Sequence, residues 1–132
     1  MQATRVDVLA PAVGNTHGLL KSMVKGEAEK HLKIDLIGEI KRSARVFMTL
    51  HGGSGTNLHD ITAAIGAGIN IVHVNTELRL ARRKGLEDAL SSHPSELAPY
   101  KILPHAVAAV RQFASERLRV FASSRKPLTQ TV

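Results

Sequence analysis

Val46-Phe-Met-Thr-Leu-His-Gly-Gly-Ser-Gly55 reads as a buried strand that ends on a histidine and opens into a glycine-rich turn. A short apolar run of large side chains is the pattern of a parallel strand covered on both faces. Glycine lets the chain turn sharply, so Gly52, Gly53, Ser54 and Gly55 can bring backbone N–H groups toward an anion. Parallel α/β folds keep their chemistry at the C-terminal ends of their strands. His51 and the turn therefore read as a metal ligand beside a phosphate cradle, which implies a phosphorylated substrate next to a metal ion.

The same strand–turn–helix rhythm runs on both sides of this stretch. Upstream, Val6–Val13 is predicted as a strand, apolar except for Asp7, ending at Gly14-Asn-Thr-His-Gly18. A lysine-rich polar loop follows to about Lys30, then a helix over Ile34–Ser43 with Ile34, Ile37 and Ile40 on one stripe. The central strand is Val46–Leu50. Asn57 is a suitable N-cap for a helix through Ala67, with Gly68 ending it. Ile69–Val74 is the third strand, and Thr76 opens a helix to about Leu90 whose inner face carries Leu78, Ala81, Gly85, Leu86, Ala89 and Leu90. Pro99–Pro104 reads as a connector. Pro104 suits the first position of a last helix, His105–Ala122, with Val107, Val110, Ala114, Leu118 and Phe121 on its apolar face. Ser123–Val132 reads as a disordered tail. Alternating strands and helices predict right-handed βαβ units on a parallel sheet. An eight-stranded barrel takes about 250 residues, so this chain supplies only part of one.

Composition narrows the function classes. The 132 residues hold no cysteine, which excludes disulfides and thiolate metal sites, and a cytoplasmic location fits. The N-terminus lacks the basic and long apolar regions of a signal peptide, and no apolar run is long enough to span a bilayer. A net charge of +7 invites a nucleic-acid reading. Against it, the basic residues are scattered and the only aromatics are Phe47, Tyr100, Phe113 and Phe121, so no base-stacking platform is evident. The densest cluster, Arg79–Lys84, falls on a predicted helix and reads as a solvated outer face. A small phosphorylated substrate is the simpler partner for the charge; neither nucleic acid nor a membrane is expected as one.

Three strand ends carry polar signatures: Asn15-Thr-His17-Gly18, His51-Gly-Gly-Ser54 and His73-Val-Asn75-Thr76. His17 and His51 stand about 34 residues apart, the length of one βαβ unit, which places them on neighbouring strands. Two neutral imidazoles on adjacent strand ends are good zinc ligands, and a catalytic zinc takes three protein ligands and one open position. Lys21, a turn beyond His17, is placed to neutralise a phosphate or is simply a loop lysine. His73 points into the site or packs in its wall. His31, His59, His93 and His105 read as solvent-facing.

With those motifs in place, the sequence resembles the C-terminal half of a class II, zinc-dependent fructose-bisphosphate or tagatose-bisphosphate aldolase. The resemblance rests on Val13-Gly-Asn-Thr-His-Gly18 with Lys21, Leu50-His-Gly-Gly-Ser-Gly55, Val74-Asn-Thr-Glu-Leu-Arg79, and Pro99-Tyr-Lys-Ile-Leu-Pro104 with the last helix. It implies the last three strands and helices of a TIM (β/α)8 barrel over residues 1–122. It also implies reversible aldol cleavage of a ketose 1,6-bisphosphate to dihydroxyacetone phosphate and glyceraldehyde 3-phosphate, with zinc polarising the ketone.

Carried over by position, the resemblance makes His17 and His51 zinc ligands. Gly18, Lys21, Gly52, Gly53 and Ser54 match the triose-phosphate site, with a monovalent cation near Gly18, Gly52 and Ser54. His73, Asn75 and Thr76 match the last-strand substrate contacts. Position 73 is commonly asparagine in the family, and Tyr100 stands where many members place a phosphate-reaching arginine. The family's first zinc histidine and its proton-transfer residues match nothing in this chain, so no catalytic residue is assigned and activity is expected to need the N-terminal half. That half is supplied by a separate chain, a homo-oligomer, or not at all. The alternative is a non-catalytic sugar-phosphate-binding module or an inactive truncated fragment.

Overall fold

A computed structural model of the chain describes residues 4–17 and 30–122. Gly18, Lys21, most of the lysine-rich loop and the 123–132 tail lie outside the described residues. The chain packs as two compact units, Met1–Glu77 and Leu78–Val132.

The first unit holds a three-stranded parallel sheet in sequence order: β1 (Val8–Leu9), β2 (Phe47–Leu50) and β3 (Ile71–Val72). Helix α1 (Ile34–Ala44) connects β1 to β2, and α2 (Leu58–Ala67) connects β2 to β3. Both crossovers are helical, as parallel pairing requires. The expected strand Val6–Val13 is shorter in the structure because Pro11 has no N–H to give a ladder. The third strand is short as well, but the Asn70 amide donates to the Met48 carbonyl at 2.8 Å and the His73 amide to that of Leu50 at 2.9 Å, so sheet-like pairing runs on to the histidine.

Side chains alternate across the sheet, and that alternation separates core from site. Met48 and Leu50 point toward the helices, where they meet Val13, Leu32, Ile37, Ala64 and Ile69 in a continuous buried core. Each such large side chain contributes about 1.5–3 kcal/mol by leaving water. The register Val8↔Phe47 and Thr49↔Ile71 puts Val8, Phe47, Thr49 and Ile71 on the opposite face. On that face Thr49 is buried, while Val8, Ile71 and Phe47 are exposed, Phe47 at 62%. Two residues beyond Thr49 and Ile71, the same alternation carries His51 and His73.

The helix ends follow the sequence signals. The Asn57 side chain accepts from the amides of His59 and Asp60, and Gly68 closes α2 at φ 123°. Asp60, in the first turn of α2, ties the helix to the segment ahead of α1: its Oδ2 accepts from the Leu32 amide at 2.9 Å and from His31 Nδ1 at 3.0 Å. The Leu32 hydrogen bond, reinforced by His31, outweighs burial and holds the Asp60 carboxyl below its usual pKa. Asp60→Ala is therefore expected to cost about 1.5–3 kcal/mol near neutral pH. A depressed folded pKa stabilises above the unfolded value, near 3.9, and that contribution fades as pH falls through the folded one. Thermal melts of wild type and Asp60→Ala should converge in acid; a gap that stays constant would remove the carboxylate from this role.

The second unit is a helical pair. Helix α3 (Thr76–Ser92) begins before the unit boundary, and α4 spans Pro99–Val120. The last helix thus starts six residues earlier than the connector reading expects. Pro99, not Pro104, takes the N-terminal position, and Pro104 lies inside the helix. One intrahelical bond is lost there, to the Tyr100 carbonyl, because Pro104 lies past the first turn. The inward faces also differ from the expected ones. A Cβ on Gly85 would meet the Ala109 Cβ and the His105 carbonyl at 2.9 Å and the Ala106 Cα at 3.0 Å. Small residues thus set the α3–α4 contact, while Val107, Leu118 and Leu90 of the expected apolar faces are exposed. Arg79, Arg82, Arg83 and Lys84 are exposed, and Arg83–Glu87 and Lys84–Asp88 pair along α3. This is the solvated outer face that the charge pattern suggests.

Candidate functional site

The segments that follow the three strands bring three histidines together, His51 and His73 directly after β2 and β3 and His17 eight residues beyond β1 rather than at its end. His51 follows β2 directly and is partly buried; His17 and His73 are exposed on either side. The ring centroids of His17 and His51 are 5.8 Å apart, and those of His51 and His73 are 4.5 Å apart, edge to face. His73 Nδ1 and His51 Nδ1 are 3.4 Å apart, so one ring donates to the other. Asn15 clips the first segment to the second: its Oδ1 accepts from the Val13 amide and its Nδ2 donates to the His51 carbonyl at 3.1 Å.

Glycines allow this approach. Gly52 has φ +65°, and a Cβ there would lie 2.3 Å from the Thr16 carbonyl oxygen. A Cβ on Gly53 would lie 2.9 Å from the His73 carbonyl oxygen, which the Gly53 amide binds at 3.0 Å. The two glycines let the segments carrying His17 and His73 close onto His51. That use was not evident from the sequence, where the turn reads as an anion cradle alone.

What remains for an anion is narrower than four amides. The Thr56 amide closes a turn onto the Gly53 carbonyl at 3.3 Å. Within that turn, the Ser54 and Gly55 amides donate to no described group. The Ser54 hydroxyl is buried and accepts from the Asn75 amide at 3.1 Å and the Glu77 amide at 3.5 Å, fastening the start of α3 to the turn. Asn75 is exposed and Thr76 opens α3. His73 thus lies against His51, and the Ser54 hydroxyl ties the Asn75 amide to the turn that follows His51.

Sequence reasoning missed Lys30. Its ammonium donates to the carbonyls of Thr16 at 2.6 Å, Ser54 at 2.9 Å and Gly52 at 3.4 Å, and the residue is only 6% exposed. Burial pushes its pKa below the usual lysine value, while the Glu77 charge pulls it back up. The resemblance places a monovalent cation near Gly18, Gly52 and Ser54; Gly18 lies outside the described residues, and the Gly52 and Ser54 carbonyls are engaged by an ammonium from this chain. As arranged, the pair does not fit a free monovalent ion. A lysine at the end of a lysine-rich run gives no sequence signal of burial.

For a divalent metal the fit is partial and specific. Two imidazoles on one tetrahedral zinc, each bonded at about 2 Å, have ring centroids roughly 5 Å apart, close to the His17–His51 spacing. Among the described residues, no three His, Cys, Asp or Glu side chains gather as a metal site. His17 and His51 fit as two ligands of a larger set. A groove of about 940 Å3 along α4, bordered by Tyr100, Leu103, Val107 and Arg111, contains none of the strand-end residues. No helix among the described residues is long and apolar enough to cross a membrane.

Comparison with known proteins places this geometry. A family profile described as fructose-bisphosphate aldolase class-II matches residues 1–126. A sulfofructosephosphate aldolase of Alkalicoccus urumqiensis is 36% identical over 126 residues, covering 96% of this chain and 42% of the relative. A probable fructose-bisphosphate aldolase of Bacillus subtilis strain 168 is 33% identical over 124 residues, covering 94% of this chain and 41% of the relative. The crystal structure of the YdjI aldolase from Escherichia coli K12 matches with a TM-score of 0.75 and 27% identity, over 94% of this chain and 43% of that one. The chain spans about two fifths of the length of the curated relatives it matches. Its sheet and helices accordingly correspond to part of a (β/α)8 barrel.

Proposed function

The chain belongs to the class-II fructose-bisphosphate aldolase family, and from that premise we propose that it supplies two zinc ligands and most of the triose-phosphate site of a zinc-dependent ketose-bisphosphate aldolase. The reaction is reversible cleavage of a fructose or tagatose 1,6-bisphosphate to dihydroxyacetone phosphate and glyceraldehyde 3-phosphate. The observation that carries this reading is the His17–His51 pair, held together across the Gly52 contact with Thr16.

Zinc, when bound, supplies a Lewis acid for the substrate ketone. The chain's own residues hold and orient. His17 and His51 offer neutral nitrogens, and the Ser54 and Gly55 amides offer donors to a phosphate. Asn75 and His73 stand exposed beside them, where a triose would lie. Proton transfer is assigned to residues outside this chain. The 1–122 segment acts as one part of a barrel, and its complement is an N-terminal half, on this polypeptide, a separate one or another copy. The exposed Val8, Phe47 and Ile71 on the histidine-bearing face support a covering partner. The cytoplasm is the proposed compartment, in keeping with a chain free of cysteine.

The purified chain should bind zinc yet cleave fructose and tagatose bisphosphates no faster than buffer. Adding an N-terminal half from a relative should raise cleavage by ~10²-fold or more, the scale of general acid–base catalysis. Zinc binding that stays absent even in the complemented mixture would sink the metal assignment. Triose-phosphate binding that survives chelation, with no cleavage under any condition, would favour a non-catalytic sugar-phosphate-binding module.

A further inference from the structure

Lys30 places a positive charge where the two strand-end segments meet. Among the described residues its ammonium donates to three backbone carbonyls: Thr16 from the His17 segment, Gly52 and Ser54 from the His51 turn. Carbonyl oxygens converging from two segments repel one another unless a cation lies between them, and rings of backbone carbonyls are how proteins replace the water around a potassium ion. A buried charge persists only when such dipoles or an opposite charge compensate it. Here the carbonyls, with the Glu77 charge acting on the same group, provide that compensation. The Lys30 main chain is fixed as well: its amide donates to the Gly55 carbonyl at 2.9 Å, and its carbonyl accepts from the Asn57 amide at 3.0 Å. Backbone and ammonium of one residue therefore bracket the whole Gly52–Asn57 turn.

We propose that the Lys30 ammonium is a built-in substitute for a monovalent cation, joining the Thr16, Gly52 and Ser54 carbonyls so that the histidine-bearing segments are set without potassium or sodium. A tethered ion binds with no loss of translational freedom, so its occupancy is independent of the salt present. The inference rests on the packing of the chain and not on aldol cleavage. Its failure would therefore leave the proposed reaction standing, and the reverse also holds.

The test compares melting temperatures in potassium, sodium, ammonium and choline chlorides at equal ionic strength. Choline is too large for the carbonyl cage. Wild type should melt within about 1 °C in all four, whereas Lys30→Ala in choline should melt roughly 8 °C or more lower, given about 4–8 °C per kcal/mol for a domain of this size. Lys30→Ala leaves a hole and should regain at least half of that loss in potassium or ammonium chloride. Lys30→Met fills the hole without charge and should show the loss with no recovery. A wild type stabilised by potassium or sodium over choline would overturn the proposal, as would a Lys30→Ala deficit identical in every salt. If neither variant folds, titrating wild type with thallium(I), a potassium mimic read by its own NMR signal, still decides: saturable binding at this turn contradicts a cage already filled.

Discussion

Gly52→Ala is expected to be the most damaging single-methyl change in the first unit. Two costs fall on one atom. At φ +65° an L-residue gives up about 1–2 kcal/mol relative to glycine. The new Cβ would also sit 2.3 Å from the Thr16 carbonyl oxygen, so the His17 segment must retreat. That retreat removes the Lys30–Thr16 hydrogen bond and widens the His17–His51 spacing. The combined loss should reach about 3 kcal/mol or more, the range of strain at a special backbone position. Gly66→Ala is the matched control. It lies within α2, and a Cβ there meets nothing within 4 Å. Alanine at an open helical position should be neutral or stabilise by up to ~1 kcal/mol. Denaturant unfolding of the two variants against wild type reads both signs at once. Equal stability for Gly52→Ala and wild type would show that the turn does not depend on the close approach.

The contrast between those glycines shows what the sequence could and could not convey. Gly68 is legible as a helix stop because it follows an apolar helical stripe, and Asn57 as an N-cap because it precedes one. The His17–His51 encounter is legible too, since one strand–helix–strand unit separates two histidines that each precede glycine. What Gly52 does cannot be read locally, because the atom it must avoid belongs to Thr16, in the segment that follows β1. The same holds for Lys30: its acceptors lie far along the chain, and in sequence it is one lysine among several. Errors in the helices had local causes. Pro104 and Pro99 are equally good first-turn residues by composition, and the helix begins at Pro99. The pairing of α3 with α4 at Gly85 leaves Val107 outside, because it favours the small Ala106 and Ala109 at the contact.

His51→Ala should weaken zinc binding far more than loss of His73. His51 is the one ring in contact with both of the others, at 5.8 Å from His17 and 4.5 Å from His73. Its removal therefore takes away a ligand and also the partner that His73 needs. Replacing an outer-shell partner of a ligating histidine usually costs 10–100-fold in metal affinity, so loss of the ligand itself should exceed ~100-fold. His73→Asn makes a sharper comparison, since asparagine is the residue that family resemblance suggests for this position. The 3.4 Å contact between the two Nδ1 atoms requires one of them to carry the proton. Only the arrangement in which His51 Nδ1 donates leaves the His51 Nε2 lone pair free for a metal, and in it His73 is an orienting neighbour of His51. His73→Asn retains a hydrogen-bonding side chain and should weaken zinc by about 10-fold or less. His17→Ala should fall near His51→Ala if both are ligands. Chelator competition gives the order of affinities, and the cobalt(II) absorption spectrum reports ligand geometry without any assay of cleavage. Equal affinities for His51→Ala and wild type would remove His51 from the metal site. A His73→Asn loss as deep as that of His51→Ala would instead make His73 a ligand in its own right.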